Sequence, residues 1–371
     1  MTDSVVSPRD QRVTFVELFF DLVFVFAVTQ LVRIVHHHPG FLGAGEAVLV
    51  FWLVWWGWAQ FTWALNAADT THALVELATL LATALAFFMA VAIPGSFEGR
   101  GFWFALPYVA VRTLGLAVYA KVAYQAGHQQ HTAVRVFTFA SVFGLVAVLV
   151  GGWRGGSWQL GMWSMAIALD IGASVIGARQ EGWDLRAEHF AERHGGFVII
   201  ALGESLIVAA AGVAGSDWNA ARILVAILSV AVTCALWWVY FARAKPALDH
   251  AFEHTSGTTQ SRLARDAFSL IHFPLILGIV AYAAAVEEAL AHPADPLPLV
   301  WRCSLAAGLV LFLGSMAAAL IRATARRPTG RLVLTLLTAG VVIAVPGPAA
   351  LTFGIAFAGV AAIAVIEQRA V

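Results

Sequence analysis

Apolar runs of about 20 residues recur along almost the whole chain, and this recurrence constrains the fold more than any other feature. At about 1.5 Å rise per residue, such a run spans the ~30 Å hydrocarbon core of a bilayer as a helix. Helices are the expected spanning element because lipid offers no partner to an open backbone. Charged residues make up 12% of the 371 positions, against about 25% in soluble domains. Length alone would suggest two or three soluble domains, but the hydropathy overrides it. Net charge is zero, so the chain carries no basic footprint for nucleic acid.

The expected fold is all-α: a polytopic transmembrane helix bundle of about twelve spans. They are read at 13–35, 44–66, 72–94, 102–124, 134–152, 158–178, 195–214, 221–241, 266–290, 299–321, 331–345 and 349–366. Pro346-Gly347-Pro348 separates the last two, which read either as a tight hairpin or as one kinked span. The polar stretch Met1 to Arg12 does not read as a cleaved signal, so the first run is expected to be a true span. Most lysines and arginines fall at the N-terminus, after even-numbered spans and at the C-terminus. The opposite side carries only Arg33, Arg100, Arg154, Arg222 and Arg302. The positive-inside rule then places both termini in the cytoplasm of a multi-pass plasma-membrane protein. Two charged stretches on that side, 179–193 and 243–265, read as long loops.

The halves look related. Asp21 lies within the first span and Glu204 within the seventh. Trp55-Trp56-x-Trp58 follows the first carboxylate and Trp237-Trp238-x-Tyr240 the second, at 34 residues (21 to 55) and 33 residues (204 to 237). Six spans per half keep one orientation, so the reading is a parallel 6+6 repeat. It gives a first half at 1–178, a cytoplasmic linker at 179–194 and a second half at 195–371.

Two segments carry a family resemblance. Val13-Thr14-Phe15-Val16-Glu17-Leu18-Phe19-Phe20-Asp21-Leu22-Val23-Phe24-Val25-Phe26-Ala27-Val28-Thr29-Gln30-Leu31 closely resembles the opening helix of the bacterial low temperature requirement A (LtrA) family. The segment from His189 through Glu192, Arg193, Gly195 and Gly196 to Leu202-Gly203-Glu204-Ser205 resembles its H-x-x-E-R-x-G…LGES stretch. His272-Phe273-Pro274 fits a weaker third pattern. The resemblance covers nearly the whole chain. It implies a bacterial polytopic membrane protein and a link to growth at low temperature, and it implies no particular chemistry.

An ionisable side chain at membrane depth costs roughly 2.5–3.5 kcal/mol on insertion scales, so it is paired or functional. The candidates for an ion, proton or substrate pathway are Glu17, Asp21, Glu76, Arg112, Asp170, Glu204 and His272. Glu17 and Asp21 stand four apart and share one helix face. In a low dielectric they cannot both ionise cheaply, so the pair suits a cation or a proton. Arg112 is expected to pair with Asp21 or Glu76, as a gate or as a lock between helices. Asp170 has no evident local partner. His272 precedes Pro274, where the helix is weakened. His189, Arg193 and Glu204 fall within about 60° of one another if their helix is unbroken. If Gly195-Gly196 breaks it, His189 and Glu192 become cytoplasmic rim groups.

Other chemistries lack support. Lys121 and Lys245 lie near helix ends, which disfavours a retinal Schiff base, and His272 alone is too few for bis-histidine haem. Cys234 and Cys303 lie in apolar runs without metal spacing. His36-His37-His38 reads as a solvated loop rather than a metal site. The tryptophans at 52, 55, 56, 58 and 63 read as packing and interface anchors rather than a cation cage. No P-loop, GxSxG or HExxH occurs, so no catalytic residue, enzyme activity, cofactor or metal is expected.

The expected function is a proton-linked secondary transporter or channel, with protons or a small solute as partners. Asp21 and Glu204 would face a polar cavity, and Glu17 and Arg112 would modulate it. The alternative is a non-transporting membrane protein that supports cold or stress tolerance through lipid or partner contacts of its charged loops.

Overall fold

The computed structural model describes residues 4–37, 40–177, 183, 185–214 and 217–369. The histidine triplet and most of 178–184 lie outside the described residues or side chains. The chain is helical almost throughout. In order come α1 (Phe15–His37), α2 (Phe41–Ala67), α3 (Ala73–Ala92), α4 (Gly101–Ala126), α5 (His128–Arg154) and α6 (Gly156–Gly177). They are followed by α7 (Ala187–Ala214), α8 (Ala220–Val239), α9 (Lys245–Glu253), α10 (Gly257–Leu263), α11 (His272–Ala291), α12 (Leu299–Thr324), α13 (Thr329–Ala344) and α14 (Ala349–Arg369).

Eleven helical segments among the described residues are long and apolar enough to cross a membrane. The eleventh expected span is instead the shorter α13, of 16 residues. Pro328 precedes it and Pro346-Gly347-Pro348 follows, so the backbone donors needed to lengthen it are missing. The last two expected spans are therefore separate helices.

The expected loop 243–265 is also corrected. A π-helical turn, Tyr240–Ala244, carries α8 into α9, and a second, Ala264–Leu270, joins α10 to α11. Only residues 254–256 lie between α9 and α10. The segment is charged, yet it holds four Ala, three Arg, two Leu and Lys245, all good helix formers.

The chain divides into two compact units, Met1–Phe197 with Phe252–Arg265, and Val198–Ala251 with Asp266–Val371. In the first, α1 packs on α2 and α3, and α3 to α6 pack in succession. Helix α2 touches α1, α4 and α6, and every residue from Val50 to Thr62 is buried. Its hydrophobic residues therefore surround the helix rather than forming a stripe, as expected of a central element. Trp52, Trp55, Trp56 and Trp58 are buried within it, so packing and not interface anchoring describes them. The N-terminal segment is strapped to one end of this unit. Ser7 N–H donates to the Ala67 carbonyl and Asp69 N–H to Val5, both at 2.9 Å. The Arg186 guanidinium donates to the Pro8 and Ser7 carbonyls.

In the second unit, α11 packs on α12, α12 on α13, α13 on α14, and α14 on α8. Hydroxyls tie three helices together. Tyr282 OH donates to the Ser229 carbonyl at 2.6 Å, and the Thr233 hydroxyl lies 3.1 Å from Tyr282 OH and 3.2 Å from the Ser205 hydroxyl. Helices α11 and α12 meet backbone to backbone. A Cβ on Gly278 would lie 2.7 Å from the Gly308 carbonyl oxygen and 2.8 Å from the Phe312 nitrogen. Gly278→Ala should therefore cost about 1–3 kcal/mol by overpacking, lowering the melting midpoint in detergent. Gly314→Ala, whose new Cβ meets open space, should leave it unchanged.

Candidate functional site

In the first unit, α1 and α7 bring four charged or titratable side chains together. Glu17 and Asp21 lie one turn apart on α1, and His189 and Arg193 one turn apart on α7. All four are at most 1% exposed. The Arg193 Nη2 donates to Asp21 Oδ1, and its Nη1 lies 3.4 Å from Glu17 Oε1. His189 Nε2 is 3.0 and 3.2 Å from the two Glu17 oxygens. One guanidinium therefore bridges the two carboxylates that the sequence places on a common face.

The surroundings fix the orientation of these groups. Asn66, near the end of α2, accepts from the Arg186 backbone N–H through Oδ1 at 3.0 Å. Its Nδ2 then faces His189 Nδ1 at 3.1 Å as a donor. The imidazole thus accepts at Nδ1 and donates from Nε2–H to Glu17, an assignment that follows from the network. Glu17 Oε2 also accepts from the backbone N–H and hydroxyl of Thr14, both at 3.0 Å. Trp58 Nε1 donates to Asp21 Oδ1 at 2.7 Å. Arg193 also lies over the rings of Trp58 and Phe20, 5.7 and 5.9 Å from their centroids.

Formal charges in this cluster do not cancel. Two carboxylates against one guanidinium leave a single negative charge, and His189 in this tautomer adds none. Asp21 Oδ2 is buried and meets no hydrogen-bond donor. A proton on that oxygen would neutralise the cluster without displacing any existing bond.

A second cluster lies across α2. Arg112 does not pair with Asp21 or Glu76, as expected, but with Asp170 on α6. Its Nη2–Oδ1 distance is 3.2 Å and its Nη1–Oδ2 distance 3.4 Å. Asp21 is taken by α7, and Glu76 is exposed at the start of α3. Arg112 also donates to Gln60 Oε1 at 2.7 Å and Tyr108 OH at 2.6 Å. Trp52 and Trp56 turn their indoles to the same carboxylate, outside strict hydrogen-bond geometry. Here one cation meets one anion and the charges balance. Trp58 and Gln60, two residues apart on α2, thus serve separate clusters. Asn66, Gln60 and Tyr108 had no sequence signal that set them apart.

The remaining candidates lie elsewhere. Glu192 is on α7 but exposed, whereas His189 is buried, because α7 runs unbroken through Gly195-Gly196. Glu204 belongs to the second unit, is half-buried, and forms no hydrogen bond or ion pair with a described residue. Trp237 and Trp238, which the repeat reading sets against Trp55 and Trp56, are 42% and 44% exposed. His272, also in the second unit, accepts from Tyr240 OH at Nε2 (2.8 Å) and donates from Nδ1 to the Ala267 carbonyl (2.8 Å). Both of its ring nitrogens are satisfied, and both π-helical turns adjoin it.

The family described as bacterial low temperature requirement A protein (LtrA) matches residues 12–366. Uncharacterized protein RA0937 of Rhizobium meliloti (strain 1021) is 32% identical over 298 residues, 76% of this chain and 70% of that protein. No solved structure matches. The chain belongs to the bacterial low temperature requirement A family, and it is a multi-pass membrane protein built of many apolar helices.

Proposed function

We propose that this protein is a proton-linked secondary transporter or channel, and that the α1–α7 cluster is its proton site. The observation that carries this reading is the charge imbalance. Glu17 and Asp21 share one Arg193 in a fully buried setting, and Asp21 Oδ2 faces no donor. A lone negative charge at membrane depth is costly, so the cluster favours taking up one proton. Release of that proton tightens the hold of Arg193 on both carboxylates, and uptake loosens it. That difference ties proton binding to the packing of α1 against α7.

The proton is favoured over a metal cation by the donors already present. The Thr14 N–H and hydroxyl and the His189 N–H hold Glu17 Oε2, and the Trp58 and Arg193 N–H groups hold Asp21 Oδ1, which leaves only Glu17 Oε1 and Asp21 Oδ2 without a hydrogen bond. A cation needs a shell of oxygens, and here the carboxylates are turned to nitrogen donors.

Proton flux into proteoliposomes, driven by an imposed pH gradient and read with an entrapped dye, tests the reading. Asp21→Asn and Glu17→Gln balance the charge, so both variants should fold at least as well as the parent. Each should lose most of the flux, at least tenfold by the usual contribution of a positioned acid–base group. The reading fails if folded Asp21→Asn and Glu17→Gln proteins carry the parent's flux.

A further inference from the structure

A basic depression in the second unit is not used by the proton site. It measures about 580 Å³ and lies between α9 and the chain leaving α12. Its lining includes Ala247, His250, Leu320, Thr324, Arg326 and Arg327, with no acidic residue. Ala325 ends α12 in the left-handed conformation, with φ 57°. That conformation is uncommon away from glycine, and it turns Arg326 and Arg327 out beyond the last helical turn.

The charge here exceeds what the helix end needs. A cation in the last turn complements the helix dipole, and Arg322 supplies it, itself paired with Asp266 at 2.7 Å. Arg326 and Arg327 are exposed, and no described carboxylate lies within ion-pair distance of either. Beside them, Leu320 and Ala323 continue the apolar surface of a membrane-spanning helix into the depression. The site is therefore concave, basic at its outer end and apolar at its inner end. The lysine and arginine asymmetry assigns this end to the cytoplasmic side, where basic pockets between helices recognise anionic headgroups.

We propose that this depression binds an anionic phospholipid. Arg326 and Arg327 would take the headgroup phosphodiester, since guanidinium groups match phosphate oxygens in pairs. The start of an acyl chain would lie along Leu320 and Ala323.

Thermal melting of the full-length protein in neutral detergent tests this. Phosphatidylglycerol, phosphatidylcholine and inorganic phosphate would be added separately to the parent and to the Arg326→Gln/Arg327→Gln double variant. Phosphatidylglycerol should raise the parent's midpoint by several degrees more than phosphatidylcholine does, and phosphate should not raise it. The double variant should melt like the parent without lipid and lose the phosphatidylglycerol increment. An undiminished increment in the double variant overturns the proposal, as does equal stabilisation by the two lipids. A shift reproduced by phosphate alone overturns it in favour of a free-anion site.

Discussion

Arg193→Gln is expected to abolish stable folding, the largest single effect in this protein. The guanidinium is 1% exposed and is the cation that Glu17 and Asp21 share. Removing one partner of a buried ion pair costs about 3–5 kcal/mol, because the charge left behind is uncompensated. Here Glu17 would be left ionised and Asp21 without its guanidinium donor, within a total stability of only about 5–15 kcal/mol. Lysine should not substitute. The guanidinium reaches Glu17 through Nη1 and Asp21 through Nη2, whereas an ammonium is a single point charge. The yield of monodisperse protein after detergent extraction, followed by its melting midpoint, measures the effect. Adding Glu17→Gln to Arg193→Gln should recover part of the loss by removing the stranded charge. Without such recovery, the penalty would not come from stranded charge.

The second large effect separates structure from function. Asp170→Asn should destabilise by about 3–5 kcal/mol, since it strands the fully buried Arg112. Replacing the pair together, as Arg112→Met with Asp170→Leu, should restore most of that stability. Buried pairs exchanged for apolar residues of similar size are often neutral or stabilising. The double variant should keep the parent's proton flux, because a charge-balanced pair has no proton to exchange. Melting and flux measured on one preparation decide the point. Loss of flux in a double variant that melts like the parent would move Arg112 and Asp170 into the pathway.

The sequence shows the spans and the acidic half of the site, but not the pairing. Glu17 and Asp21 are legible because four-residue spacing puts them on one face of an apolar helix. Their partners His189 and Arg193 lie on a helix 172 positions along the chain from each. Spacing along one helix carries no information about which helix it meets. Arg112 shows the same difficulty. Its partner Asp170 is set by α4 and α6 both packing against α2, a tertiary fact with no local trace. Gly195-Gly196 suggests a break that does not occur. Inside a bilayer no water competes for the helical hydrogen bonds, so a glycine pair is tolerated where it would weaken a soluble helix. The charged stretch 243–265 misleads in the opposite way, since charge signals a position outside the lipid and says little about helicity. Asn66 and Trp58 shape the site through single hydrogen bonds that composition and periodicity cannot single out.

If the α1–α7 cluster is the proton site, Asp21 holds a proton while the Arg112–Asp170 pair holds none. A hydrophobic carbodiimide adds to a protonated carboxyl and spares an ionised one. The most direct measurement is therefore its labelling of the native protein, with the adducts mapped by peptide mass spectrometry. An adduct on Asp21, absent in Asp21→Asn and accompanied by an unlabelled Asp170, is the predicted result. A native α1 free of adduct, or Asp170 labelled as readily as Asp21, would contradict it.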